Sequence, residues 1–191
     1  MKVGLFFGSF NPIHVGHMVL ANYMLEYTDI DKVWFVVSPH NPLKKKSSLL
    51  DEKHRLQLVN LAIGDNNRLK ASDIEFKLPQ PSYTVVTLAY LKEKYPNHEF
   101  ALIMGADNLK NFHKWKNYEE ILKHHQLYVY PRPESTTSEF DNHPHVRLVN
   151  APLMQISSTD IRQAIHDKKD VRYYVPETAW NYIKEMHFYE K

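Results

Sequence analysis

Short apolar runs alternate along this chain with segments whose apolar side chains recur at helical spacing, and nothing else narrows the fold as much. Lys2–Phe7, Lys32–Val37, Glu99–Met104, Gln126–Tyr130 and Val146–Val149 read as strands. His17–Tyr27, Asp51–Ile63, Ser82–Tyr95 and Tyr118–His124 read as the helices between them, with Leu56, Val59 and Ile63 on one face of the second. Ser157–Asp167 and Glu177–Met186 add a small C-terminal helical part. Strands joined by helices imply parallel βαβ units. The expected fold is therefore α/β, a doubly wound parallel sheet with helices on both faces, in a single domain spanning 1–191.

In such sheets ligands bind beyond the carboxyl ends of the strands. Three polar clusters follow strand ends here: Gly8 to His17, Ser38 to Lys46, and Gly105 to Asp107. Two further segments read as excursions from the core. Asn41–Leu49, with Pro42 and three lysines, suits a mobile basic loop, and Pro131–Pro144, rich in Pro, Ser, Thr and acid, suits a surface loop. His124, His125, His143 and His145 read as surface residues. No internal repeat or low-complexity tract is present.

Composition removes several classes of function. At 191 residues the chain is long enough to bury roughly 70% of its unfolded surface. Cysteine is absent, which excludes disulfide and thiolate-metal frameworks and suits a reducing compartment. The apolar runs, such as Val33 to Val37, fall far short of the roughly 18 residues needed to cross a bilayer. Met1 to Phe10 is too short, and too quickly broken by Asn11-Pro12, for a secretory signal. A net charge of +2 is too weak to argue for nucleic acid. A cytoplasmic protein with neither membrane nor nucleic-acid partners is expected.

The first polar cluster, Gly8-Ser9-Phe10-Asn11-Pro12-Ile13-His14-Val15-Gly16-His17, follows directly on the run Val3 to Phe7. A strand, a small-residue turn and two histidines opening a helix make a way to hold polyphosphate. Loop N–H groups face anions, and the first helical turn adds roughly half a positive charge. His14 and His17 stand at i and i+3, so they share a face. Gly16 removes a side chain where a ligand must approach the backbone. Two such histidines also suit a metal pair or hydrogen-bonded core residues. A metal site usually adds a third ligand, often a Glu on the same helix, and none sits nearby.

A second cluster, Ile156-Ser157-Ser158-Thr159-Asp160-Ile161-Arg162, is another helix start. Ser157 with Asp160 fits a capping box, which alone explains the pattern. Yet three hydroxyls crowd this helix N-terminus, and Arg162, one turn in, offers a planar fork matched to phosphate.

The two clusters resemble the G-x-F-x-P-x-H-x-G-H and I-S-S-T-x-I-R signatures of the nucleotidyltransferase superfamily, in the same order. Asn11 departs from the Asp many relatives carry, keeping a turn-former while removing one negative charge. Interior markers, Pro81-Ser82-Tyr83-Thr84 and Gly105-Ala106-Asp107 followed by Phe112-His113-Lys114-Trp115, look like the bacterial nicotinate-nucleotide adenylyltransferases. That resemblance covers nearly the whole chain. It implies a Rossmann-like fold, ATP and nicotinate mononucleotide as substrates, and nicotinic acid adenine dinucleotide and pyrophosphate as products. Relatives are often dimers, so a homodimer is among the assemblies it allows.

The resemblance also implies residue roles. His14, His17 and Arg162 would be catalytic, the histidines donating to the α-phosphate and Arg162 binding the β/γ-phosphates. Gly8, Ser9, Phe10, Gly16, Gly105, Asp107, Ser157, Ser158 and Thr159 would bind ATP. His40, Lys44, Tyr83, Thr84 and Trp115 would bind the mononucleotide, Trp115 stacking on the pyridine ring and Thr84 holding its carboxylate. Lys45 and Lys46 read as solvated charges. The plainer alternatives are a loop anchor against the core for Trp115, an ordinary helix start for Thr84 and an N-cap for Asp107. Mg2+ would ride in with ATP, since no carboxylate cluster looks like a dedicated cage. Adenylyl transfer to phosphopantetheine is a close alternative, although that family usually carries Thr at position 14 and lacks the Trp115 loop. A nucleotide-sensing module is a more distant one, in which groups aimed at a transition state would have no use.

Overall fold

The computed structural model describes residues 1–39, 49–133 and 137–191. Six strands among them, β1 (Lys2–Gly8), β2 (Lys32–Val37), β3 (Leu69–Ser72), β4 (Glu99–Gly105), β5 (Leu127–Tyr130) and β6 (Val146–Leu148), form one sheet in the order β3-β2-β1-β4-β5-β6. Every neighbouring pair is parallel. The helices are α1 (Val15–Tyr27), α2 (Glu52–Ile63), α3 (Thr84–Lys94), α4 (Ala106–Lys110), α5 (Tyr118–His124), α6 (Ser158–His166) and α7 (Glu177–Glu185).

Strands buried on both faces need near-continuous apolar sequence, and these have it. β2 sends Val33, Phe35 and Val37 to one face and Trp34 and Val36 to the other. β4 does the same with Ala101 and Ile103 against Phe100, Leu102 and Met104. The first face is covered by α1, α2, α6 and α7 through residues such as Leu20, Met24, Leu58, Ile161 and Ile183. The second is covered by α3, α4 and α5 through Leu88, Leu91, Leu109 and Ile121. The sheet is thus doubly wound, as the alternation implied.

The strand order reverses direction between β1 and β4, and the crevice beyond their carboxyl ends is where such folds bind ligands. Gly8 and Gly105 end these two strands. The opposite ends of the strands are pinned by charge. Lys2 Nζ lies 2.7 Å from Asp29 Oδ2, 2.8 Å from Gln126 Oε1 and 3.2 Å from Glu99 Oε1, and Arg147 lies 3.0 Å from Asp29 Oδ1.

Several expectations need correction. β3 was not expected: it is an edge strand of four residues in which Lys70 is exposed and only Leu69 and Ser72 are buried. α1 begins at Val15 because His14 is its N-cap. The Pro131–Pro144 segment is not wholly superficial. Its Phe140 is buried, edge-on to Phe112 and Tyr118 with ring centroids 5.8 Å from each. Nor are all four downstream histidines surface residues. His125 Nδ1 lies 2.8 Å from the Phe100 carbonyl and His145 Nδ1 lies 2.6 Å from that of Leu122, both half-buried. The basic-loop reading of Asn41–Leu49 falls, up to Ser48, outside the described residues.

Candidate active site

The crevice is a cavity of about 490 Å³, within the usual range for a small-molecule site. Ten of the residues expected at the triphosphate line it: Gly8, Ser9, Phe10, His14, His17, Asp107, Ser157, Ser158, Thr159 and Arg162. Two helix N-termini open onto it, α1 through His14 and His17 and α6 through Ser157 to Thr159. Each brings unsatisfied N–H groups and a partial positive charge.

The β1–α1 loop is built around aromatic packing. A Cβ on Gly8 would lie 2.9 Å from Phe10 Cζ, so only glycine lets this ring fold back over the strand end. Phe10 itself is buried and has φ of 45°, a left-handed conformation uncommon away from glycine. Its ring meets His17 edge-on at 5.1 Å and Phe35 at 5.5 Å.

The two histidines are fixed differently. His17 Nδ1 accepts the backbone N–H of His14 at 3.2 Å. A backbone N–H can only donate, so the neutral His17 ring carries its proton on Nε2 and presents a donor there. His14 stacks on His17 with ring centroids 3.7 Å apart at 26°. It is only 6% exposed, and its Nδ1 has no hydrogen-bond partner. Burial, with the charge of Arg132 adding to it, holds His14 down to about 4, so the ring is neutral at physiological pH. A buried nitrogen left without a partner costs about 1–3 kcal/mol. Gly16 does not line the cavity. Its contribution is steric: a Cβ there would lie 3.0 Å from both Cε1 and Nδ1 of His14.

Two long-range hydrogen bonds join the sequence clusters. Arg162 Nη1 donates to the Asn11 carbonyl at 2.8 Å, and Ser158 Oγ donates to that of Pro12 at 2.9 Å. Ser157 accepts from the Asp160 amide at 3.0 Å, so the expected helix cap forms and lines the cavity as well. The Asn11 side chain is a further junction. Its Oδ1 accepts from the Leu50 amide at 3.2 Å and from the Tyr189 hydroxyl at 2.8 Å.

Asp107 lies in the first turn of α4, whose N-cap is Gly105, so it is not itself a cap. Gly105 stands beneath the cavity wall, where a Cβ would collide with Asp107 and sit 2.9 Å from Arg132 Cγ. Arg132, which sequence reasoning assigned to a surface loop, lines the cavity with its Nε 3.7 Å from Asp107 Oδ1. Its signal was its position two residues past the end of β5, the same rule that located the other clusters. Tyr130 beside it keeps a neutral phenol, which burial pushes up to about 12 against the opposing charge of Arg132. Two guanidinium groups against one carboxylate leave the described lining net positive, as an anionic ligand requires.

The residues expected at the mononucleotide divide. His40 and Lys44 lie outside the described residues. Tyr83, Thr84 and Trp115 do not line this cavity, but the structure brings their segments together. Tyr83 is the N-cap and Thr84 the first residue of α3, and Lys116 Nζ sits 4.4 Å over the Tyr83 ring. Trp115 is half-buried against Phe112, ring centroids 5.2 Å apart.

A parallel sheet whose topological switch point holds paired imidazoles, two helix N-termini and an arginine is the architecture of a nucleotidyltransferase. Residues 5–164 match the cytidylyltransferase-like family model accordingly. The chain is 58% identical to the probable nicotinate-nucleotide adenylyltransferase of Flavobacterium johnsoniae, covering 100% of both chains. It is 49% identical to that of Bacteroides thetaiotaomicron, covering 97% of this chain and 92% of the other. The chain belongs to the nicotinate-nucleotide adenylyltransferase family. Its fold is also that of Plasmodium falciparum nicotinic acid mononucleotide adenylyltransferase complexed with NaAD, with a TM-score of 0.82 at 20% identity over 99% of this chain and 97% of that one.

Proposed function

We propose that this chain transfers AMP from ATP to nicotinate mononucleotide by direct in-line attack, with no covalent enzyme intermediate. The observation that carries this reading is the hydrogen bond from Arg162 to the Asn11 carbonyl, which holds the guanidinium in the same cavity as His14 and His17. The mononucleotide phosphate is already anionic at neutral pH, so no general base is required. One of its oxygens bonds to the α-phosphorus of ATP as the bond to the bridging oxygen breaks, and pyrophosphate leaves with that electron pair. Positioning and charge neutralisation are the main tasks of such a site. His17 donates from Nε2 to an α-phosphate oxygen, and neutral His14 supplies a second donor, both strengthening as charge builds. Arg162 and the α6 N-terminus receive the departing pyrophosphate.

Mg2+ prefers oxygen ligands and keeps much of its water. Among the described lining residues the side-chain oxygens are those of the single carboxylate Asp107, the amides Asn11 and Asn108 and several hydroxyls, with Asp107 close to Arg132. That set suits an ion carried in on the triphosphate, whose role is to neutralise phosphate charge. Thr84 at the start of α3 and Trp115 suit the ring carboxylate and the pyridine ring, and donors committed to a carboxylate would disfavour nicotinamide mononucleotide. We place this reaction in the cytoplasm, consistent with the absence of cysteine and of any helix long and apolar enough to cross a membrane among the described residues.

Incubation with Mg2+, ATP and nicotinate mononucleotide should yield dinucleotide and pyrophosphate in equal amounts. Phosphopantetheine should give no product, and nicotinamide mononucleotide much less. With ATP made chiral at the α-phosphorus, a single inversion supports direct attack, and net retention would require a covalent intermediate.

A further inference from the structure

Arg55 is fully buried in α2, and no carboxylate is among its hydrogen-bond partners. All four of its hydrogen bonds end on backbone carbonyls: Nε on Leu50 at 2.7 Å, Nη1 on Ser9 and Ser38 at 2.7 Å each, and Nη2 on Pro39 at 2.8 Å. A buried ion is strongly destabilising unless its surroundings replace water well. Four carbonyl dipoles aimed at one point are likewise unfavourable without a cation among them. Each therefore stabilises the other, and only a planar, multi-donor side chain matches this geometry.

The four carbonyls come from three separate pieces of chain. Ser9 belongs to the loop after β1 and lines the triphosphate cavity. Ser38 and Pro39 leave the end of β2, the strand beside β1. Leu50 lies just before α2, next to the cavity-lining Leu49. The Leu50 amide in turn donates to Asn11 Oδ1, and the Asn11 carbonyl accepts Arg162. One guanidinium thus connects the β1 exit, the β2 exit and, through two short steps, the arginine expected at the leaving group. In a trans peptide the N–H points opposite the C=O, so fixing the Ser9 carbonyl also fixes the direction of the Phe10 amide in the cavity wall.

We propose that Arg55 is a positioning residue for adenylyl transfer, setting the β1 loop and the β2 exit in one rigid relation so that acceptor and donor phosphates meet in line. This rests on the reaction proposed above, in which ATP occupies the β1 side. Arg55 touches neither substrate; it acts through Ser9, Ser38 and Leu50. A displacement of about 1 Å between reacting groups can lower a rate by roughly 100-fold without changing how tightly either partner binds.

The test is R55K in the full-length protein, which keeps the charge but replaces the planar fork with three diverging donors. The expected result is a kcat about 10–100-fold lower, with KM for each substrate changed less than about threefold, in protein that remains folded by urea denaturation. Because R55A also empties a buried site, it is assayed with added guanidinium chloride at non-denaturing concentrations. Saturable recovery of kcat supports positioning by the planar cation. R55K with wild-type kcat, a loss confined to KM, or a stability loss with kcat per folded site intact would overturn the inference while leaving the reaction standing. A wild-type protein that forms no dinucleotide would overturn the reaction itself.

Discussion

The neutral His14 ring makes a quantitative claim about stability. Its ordinary value of 6.5 in the unfolded chain drops to about 4 in the fold. Between those values the unfolded chain takes up a proton that the folded chain excludes. Stability must therefore fall as pH is lowered through that window and level off below about 4, the sign being set by greater proton binding to the unfolded state. Each unit of displacement is worth about 1.4 kcal/mol, so His14 alone should remove about 2 kcal/mol between pH 7 and pH 5 and approach about 3 kcal/mol at lower pH. The ring is only 6% exposed, so little of this is lost to solvent screening. H14N cannot titrate, and comparing its pH dependence with that of the wild type cancels the contribution of groups that do not touch His14; H17N and the double variant H14N/H17N isolate the coupling to the stacked His17 ring. Urea denaturation followed by tryptophan fluorescence should show the wild type losing about 2 kcal/mol more than H14N from pH 7 to pH 5. Equal losses, within a few tenths of a kcal/mol, would show that His14 is charged or solvent-accessible in the fold and would refute the argument.

Further substitutions separate chemistry from packing. H17A should reduce kcat by about 100-fold or more with little change in KM, and a loss appearing only in KM would make the ring structural. G16A should lower kcat about tenfold or more, because its Cβ presses on His14 at 3.0 Å; unchanged turnover would mean that ring position is immaterial. W115A should raise KM for the mononucleotide by about 5- to 150-fold, from a stacking energy of about 1–3 kcal/mol, while KM for ATP stays near its starting value. An unchanged mononucleotide KM would remove Trp115 from that site.

What the sequence disclosed follows from where its information lies. Phosphate chemistry at helix starts needs particular side chains at fixed local spacing, so His14, His17, Ser157 and Arg162 could be singled out as candidates, and the structure brings all four to one cavity. Strands buried on both faces leave long apolar runs, so β1, β2 and β4 stood out. β3 did not, because an edge strand of four residues with one side exposed carries almost no hydrophobic pattern. Arg132 was hidden between two prolines that are also typical of surface turns. Arg55 left no trace at all. Its partners are backbone carbonyls, which every residue possesses, and only the three-dimensional path of the chain brings them together. The Tyr189 contact to Asn11, spanning 178 positions, is equally invisible to local spacing.

Those distant contacts govern when the cavity can come into being. Asn11 and Pro12 receive partners from Ser158, Arg162 and Tyr189, all from the final part of the chain. On a ribosome the histidine loop emerges early, yet it stays without its guanidinium and its tyrosine until α6 and the residues after α7 have been made. The β1–α1 loop is therefore completed from the far end of the sequence, first by α6 and then by the residues after α7.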